Sequence, residues 1–116
     1  MRHASNKRKL GRLRKVRSGL MKSLAYSLIL KEKIKTTDAK ARELRPFAEK
    51  MITLAKKNNM ASRRILVSRV GSEAARKLMK DLSPRFANRS GGYTRITKLP
   101  ARPSDGSLMA VIEIVS

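Results

Sequence analysis

Val16, Leu20, Leu24 and Leu28 recur every fourth residue, with Met21 and Ala25 widening the stripe. An α-helix brings such positions onto one side, so the spacing predicts a helix over about residues 13–31 with one face turned to a core. Lys33-Ile34-Lys35-Thr36-Thr37 then switches to a short β-branched run, read as a single strand. The hydroxyl of Thr37 suits the N-cap of a following helix, and Asp38 suits that helix's positive end. A second helical stripe follows in Ala41, Leu44, Ala48, Met51, Ile52 and Ala55. Within it Pro46 lacks an N–H and crowds the carbonyl four residues back, which predicts a kink near residues 42–46 rather than two helices. Beyond Asn58-Asn59, the positions Ala61, Ile65, Leu66 and Val70 predict a short third helix closed by a left-handed cap at Gly71. Ser72 is placed to cap a fourth, burying Ala75, Leu78, Met79 and Leu82, and Ser83-Pro84 ends it or begins a turn carrying Phe86.

After Gly91-Gly92 the period changes to alternation. Residues 93–99 and 108–115 read as two strands joined by the turn-rich Pro100-Ala101-Arg102-Pro103-Ser104-Asp105-Gly106. The last strand places Leu108, Ala110, Ile112 and Ile114 on one face, and only Glu113 interrupts the other apolar row, so it is expected at the centre of a small sheet, nearly covered on both sides. Helix, strand, helices and two strands make a two-layer α+β body.

Charge changes this picture at one end. The 116 residues carry 29 Lys plus Arg against 8 Asp plus Glu, a formal charge of +21, far beyond what solubility requires, so the expected partner is a polyanion. Residues 1–31 hold ten basic side chains (Arg2, Lys7, Arg8, Lys9, Arg12, Arg14, Lys15, Arg17, Lys22 and Lys31) and no acid. Such a run repels itself until a polyanion neutralises it, so residues 1–12 are expected to form a basic N-terminal extension ordered on binding, and residues 13–116 a single RNA-binding domain. Arg17 and Lys22 can stay opposite the apolar stripe, letting one helix serve both core and RNA. The stretch Leu24 to Leu30 is too short to span a bilayer and runs straight into Lys31-Glu32-Lys33, with no cleavage pattern.

A second candidate site is Arg89-Ser90-Gly91-Gly92-Tyr93-Thr94-Arg95-Ile96. The glycines let backbone N–H groups approach a phosphate, Arg89 and Arg95 add charge, and Tyr93 can stack on a base; a plain loop-to-strand turn is the competing reading. Catalytic chemistry finds no support: His3 is the one histidine and cysteine is absent, so neither a His-based triad nor a Cys/His metal site can be assembled, and no cofactor is expected. Asp38, Glu43 and Glu49 fall where exposed helical carboxylates pair with nearby cations. No basic recognition helix stands apart, and no aromatic-rich strand of the RNA-recognition-motif type is present, so structured RNA suits the pattern better than a DNA groove. A free nucleic-acid-binding protein, such as an RNA chaperone or nucleoid factor, is the alternative.

The opening Met1-Arg2-His3, the Lys9-Leu10-Gly11-Arg12 step, Ile34-Lys35-Thr36-Thr37, the run Ala39 to Arg45, Ile52-Thr53-Leu54-Ala55-Lys56 and the run Arg89 to Ile96, in this order, resemble the family of bacterial large-subunit ribosomal protein seventeen. The resemblance implies a non-enzymatic component of the large subunit in the cytoplasm, bound to its ribosomal RNA near the nascent-chain exit, with small ribosomal protein thirty-two as a neighbour. It implies RNA contact at Arg2, His3, Lys9 and Arg12, and at Gly91, Gly92, Tyr93 and Arg95. Two departures from the family pattern stand out: Val16 precedes Arg17 where a histidine is usual, and Pro103-Ser104-Asp105-Gly106 replaces a basic turn.

Overall fold

Four of the eight carboxylates, Asp38, Glu49, Asp81 and Asp105, sit in i,i+3 or i,i+4 ion pairs, whereas Glu32 ties the end of the first helix to residues more than 40 positions later. A computed structural model describes residues 14–115. Helix α1 (Arg14–Lys31) ends at Glu32, which has a left-handed φ of 64° and donates its amide to the Leu28 carbonyl at 2.6 Å. Glycine is the usual residue in such a cap. Glutamate stands there because its carboxylate receives Arg85 at 2.6 Å and Lys77 at 2.9 Å, while Lys77 also donates to the Leu30 carbonyl at 3.0 Å.

Those hydrogen bonds, from Arg85 first and Lys77 second, hold the Glu32 carboxyl down to about 2 from its ordinary 4.5. A depressed carboxylate contributes stability that is complete above its unfolded value and is lost as pH falls through its folded one. The loss therefore falls between about pH 4.5 and pH 2. The expected size is on the order of 1–2 kcal/mol, because the cluster is partly solvated and the strongly cationic unfolded chain also favours ionised carboxylates. Glu32→Gln should lower the melting temperature at neutral pH and flatten the acid limb of its pH profile; equal acid sensitivity in variant and parent would remove Glu32 from this role.

Strand β1 (Lys33–Thr37) leads into α2 (Asp38–Lys56), where Thr37 Oγ1 accepts the Lys40 amide at 3.3 Å as the expected N-cap. Helix α2 runs unbroken through the exposed Pro46 and buries all six residues of its apolar stripe. Helix α3 (Met60–Val70) is capped by Asn59, whose Oδ1 accepts the Ser62 amide at 2.8 Å. Its buried line is Ser62, Leu66 and Val70, so Ala61 and Ile65, expected in the core, face outward: the cap sets the helix phase one residue from the apolar guess.

Gly71 has a positive φ of 94° but a ψ of 162°, which is the extended glycine-only region and not the left-handed cap expected there. Ser72 likewise begins α4 (Ser72–Lys77) instead of capping it, and no side chain caps that end. A π-helical turn (Leu78–Leu82) follows, with the Ser83 amide reaching back to Leu78, and then a last helical turn (Ser83–Arg85). Pro84 explains the widening, since in an α-helical path its ring would strike the Lys80 carbonyl. The run stays in phase with the core, burying Ala74, Ala75, Leu78, Leu82 and Phe86.

Strands β2 (Thr94–Leu99) and β3 (Met109–Ile114) complete an antiparallel sheet ordered β1-β3-β2, with the last strand central as its apolar run predicts. Ile34, Ile112 and Ile96 align across the three strands and pack against the helical layer. The opposite face carries the row Lys33, Glu113 and Arg95. There Met109 is buried and Val111 and Glu113 are half-buried. Leu108 does not join the buried face: it precedes the strand, is 67% exposed, and its carbonyl accepts the Asp38 amide at 2.8 Å. In α1 the stripe reaches the core only in its second half, burying Ala25, Leu28 and Ile29, whereas Val16 is 54% exposed and Leu20 and Met21 are half-buried. The α+β class holds; the first turns of α1 are uncovered in the isolated chain.

Candidate nucleic-acid interface

Arg45, Glu49, Ile52 and Lys56 are spaced four, three and four apart, which places them along one side of α2. Ile52 is buried, Lys56 meets the segment that joins the last helical turn to β2, and Glu49 meets the first residue of β2. Glu49 Oε2 accepts from the Thr94 amide at 3.2 Å and from its hydroxyl at 2.9 Å. Lys56 Nζ donates to the Arg89 carbonyl and, at 3.1 Å, to the Tyr93 hydroxyl, which in turn donates to the same carbonyl at 3.1 Å. Glu49 is thus more than the exposed helical charge the sequence suggests: it anchors β2 to α2.

Tyr93 is 1% exposed and packs at 5.0 Å centroid to centroid against Phe86. Its ring is part of the core, so the face expected to stack on a base is not presented. An aromatic beside two glycines reads as a surface ring in sequence, and only the packing of α2 and the last helical turn encloses it.

Around this anchor the chain gathers cations. Arg45, Arg89, Gly92, Thr94, Arg95 and Val115 line an open depression of about 520 Å³. Gly92 has a left-handed φ of 64°, and Arg89 Nε donates to the Gly91 carbonyl at 3.1 Å, closing the loop on itself. Among the described residues, no group accepts from the amides of Gly91 or Gly92. Sequence reasoning found Arg89, Gly91, Gly92 and Arg95 but missed Arg45, which lies 44 positions before Arg89 and reads locally as the partner of Glu49. Arg14 and Lys15 are exposed and Arg17 half-buried on the first turn of α1, which lines no part of the depression. Arg2, His3, Lys7, Arg8, Lys9 and Arg12 lie outside the described residues.

Gly92→Val tests whether the turn matters to binding. A β-branched residue at this φ costs on the order of 1–2 kcal/mol, while the added Cβ itself meets only the Arg89 guanidinium at an ordinary 3.8 Å. Thermal stability should fall by that amount, and RNA affinity measured on the folded protein should fall further. Normal binding by the folded variant would leave Gly92 with a purely structural role.

The Pro103-Ser104-Asp105-Gly106 turn contributes little charge. Arg102 spans Asp105 with two contacts of 3.0 Å, and these bonds, followed by the Ser107 amide at 3.1 Å, hold the Asp105 carboxyl down to about 2. Among the described residues no cluster of His, Asp or Glu could hold a metal ion, and no helix is long and apolar enough to cross a membrane.

Residues 20–115 match the family model described as Ribosomal protein L17. The chain is 53% identical, over 99% of both sequences, to a large ribosomal subunit protein bL17 of Hydrogenobaculum sp. (strain Y04AAS1). The chain belongs to the ribosomal protein bL17 family. Its similarity extends to bL17 proteins of other bacteria. It is 51% identical to that of Methylacidiphilum infernorum (isolate V4), over 97% of this chain and 87% of the relative. With that of Fusobacterium nucleatum subsp. nucleatum it shares 45% identity over 99% of this chain and the whole of the relative. At 99% of this chain, the first of these alignments spans nearly all of the N-terminal basic run and the Arg45 and Gly92 regions alike.

Proposed function

We propose that this chain is a structural, non-enzymatic constituent of the large ribosomal subunit in the bacterial cytoplasm, where it binds large-subunit ribosomal RNA and supports assembly and translation. The full-length 53% identity to a protein of that name carries the reading. The charge of +21 supplies the physics: each neutralised phosphate releases condensed counterions, a driving force that does not depend on base sequence. In this reading the basic extension of residues 1–12 and the cationic surface of the body, with Arg14, Lys15, Arg17, Arg89 and Arg95, both bind RNA. Neighbouring large-subunit proteins, protein thirty-two among them, are the protein contacts.

Competition separates this from a general nucleic-acid binder. Purified chain bound to large-subunit ribosomal RNA at moderate salt should be displaced only weakly by duplex DNA at equal phosphate concentration. Equal displacement by DNA would favour a nucleoid or chaperone role.

A further inference from the structure

The arginines seen to meet a carboxylate fall into two groups. Arg42, Arg85 and Arg102 hold theirs at 2.6–3.1 Å, within charge-assisted hydrogen bonds. Arg45 and Arg95 stand 3.8 Å from Glu49 and 3.6 Å from Glu113, longer than hydrogen bonds, and both contacts are made by Nε. The terminal nitrogens of these two guanidiniums, the pair that forks onto an oxyanion, make no hydrogen bond among the described residues, and the side chains are 48% and 61% exposed. Glu49 offers Arg45 no hydrogen bond from its nearest oxygen, which already accepts from the Thr94 amide and hydroxyl.

Both under-committed arginines line the same depression as Gly92, which has a left-handed backbone and an amide that no group among the described residues accepts from. Arg89, fastened to the Gly91 carbonyl, supplies a third positive charge. Guanidinium forks beside backbone N–H groups in an open depression are the donor set that suits a tetrahedral oxyanion. We propose that Arg45, Arg95 and Gly92 seat one phosphate group of an RNA backbone, and that Glu49 positions this site by fixing Thr94 to α2 while leaving Arg45 available. The inference rests on the reading of the chain as a ribosomal-RNA binder and adds to it a defined single-phosphate site on the body, with Arg45 as its unexpected member.

Counting counterions tests it on the full chain. Two arginines sharing one phosphate should release about one phosphate's worth of ions between them. In titrations against large-subunit ribosomal RNA, the double variant Arg45→Ala/Arg95→Ala should therefore lower the slope of log affinity against log salt by roughly 0.7–0.9, no more than about the cost of one contact. Arg45→Lys should keep the wild-type slope yet bind more weakly, because a lysine keeps the charge and loses the fork. Circular dichroism and melting curves should match wild type, since both side chains are exposed. In amide NMR of the wild type, a short RNA should move the Gly91 and Gly92 resonances at concentrations where inorganic phosphate does not; equal response to both would make the site one for free phosphate and overturn the RNA assignment. An unchanged slope in the double variant, or a change of about 1.4–1.8 signifying two separate contacts, would also overturn it. Failure of the wild-type chain to prefer ribosomal RNA over DNA would instead sink the ribosomal reading, whatever the variants do.

Discussion

A chain lacking residues 2–12 should fold as the parent does and lose much of its grip on ribosomal RNA. The deletion removes Arg2, Lys7, Arg8, Lys9 and Arg12, while α1 begins at Arg14 and its buried residues begin at Ala25. If most of these five cations neutralise phosphates, the salt dependence of log affinity should become shallower by roughly 3–4, with 0.7–0.9 per contact as the working range. Far-ultraviolet circular dichroism checks the fold, and filter binding across a salt series checks the slope. An intact body with an unchanged slope would make the basic run a solvated charge segment. The contrast with the double arginine variant is informative in itself: several contacts against one divides the affinity between extension and body.

Tyr93→Ala should be the most destabilising of the single changes considered. The ring is enclosed beside Phe86, and its hydroxyl links Lys56 to the Arg89 carbonyl, so truncation leaves a cavity and unties the arginine loop together. Losses of about 3–5 kcal/mol are usual for a buried aromatic, enough in a domain of this size to lower the melting temperature by well over 10 °C. Tyr93→Phe keeps the ring and gives up only the hydroxyl's bonds, at about 1 kcal/mol. Differential scanning calorimetry resolves the two. A Tyr93→Ala protein that melts with the wild type but binds RNA poorly would reinstate base stacking.

What the sequence discloses here follows the range of the interactions involved. Periodicity is local, so the six buried residues of α2, the bounds of β1 and the central place of β3 are all legible from spacing alone. Capping is local too, and Thr37 reads correctly; the Gly71-Ser72 junction does not, because Gly71 adopts an extended conformation no residue pattern distinguishes from a left-handed cap. The uncovered start of α1 is invisible to periodicity, which reports that a stripe exists and not how far the rest of the chain reaches along it. At the interface, the loop arginines and glycines stand out by composition. Arg45, Glu49 and Lys56 do not, since their roles come from a segment 33 to 50 residues later folding against α2. The same nonlocal packing turns Tyr93 from an apparent stacking platform into a strut beneath the cationic loop.

Sedimentation of a tagged copy of this chain from cells through a moderate-salt gradient tests the central claim most directly. A constituent of the large subunit should migrate with large subunits in near-stoichiometric amount and remain there after nuclease treatment that degrades DNA. Recovery only in free or DNA-containing fractions would contradict a ribosomal role.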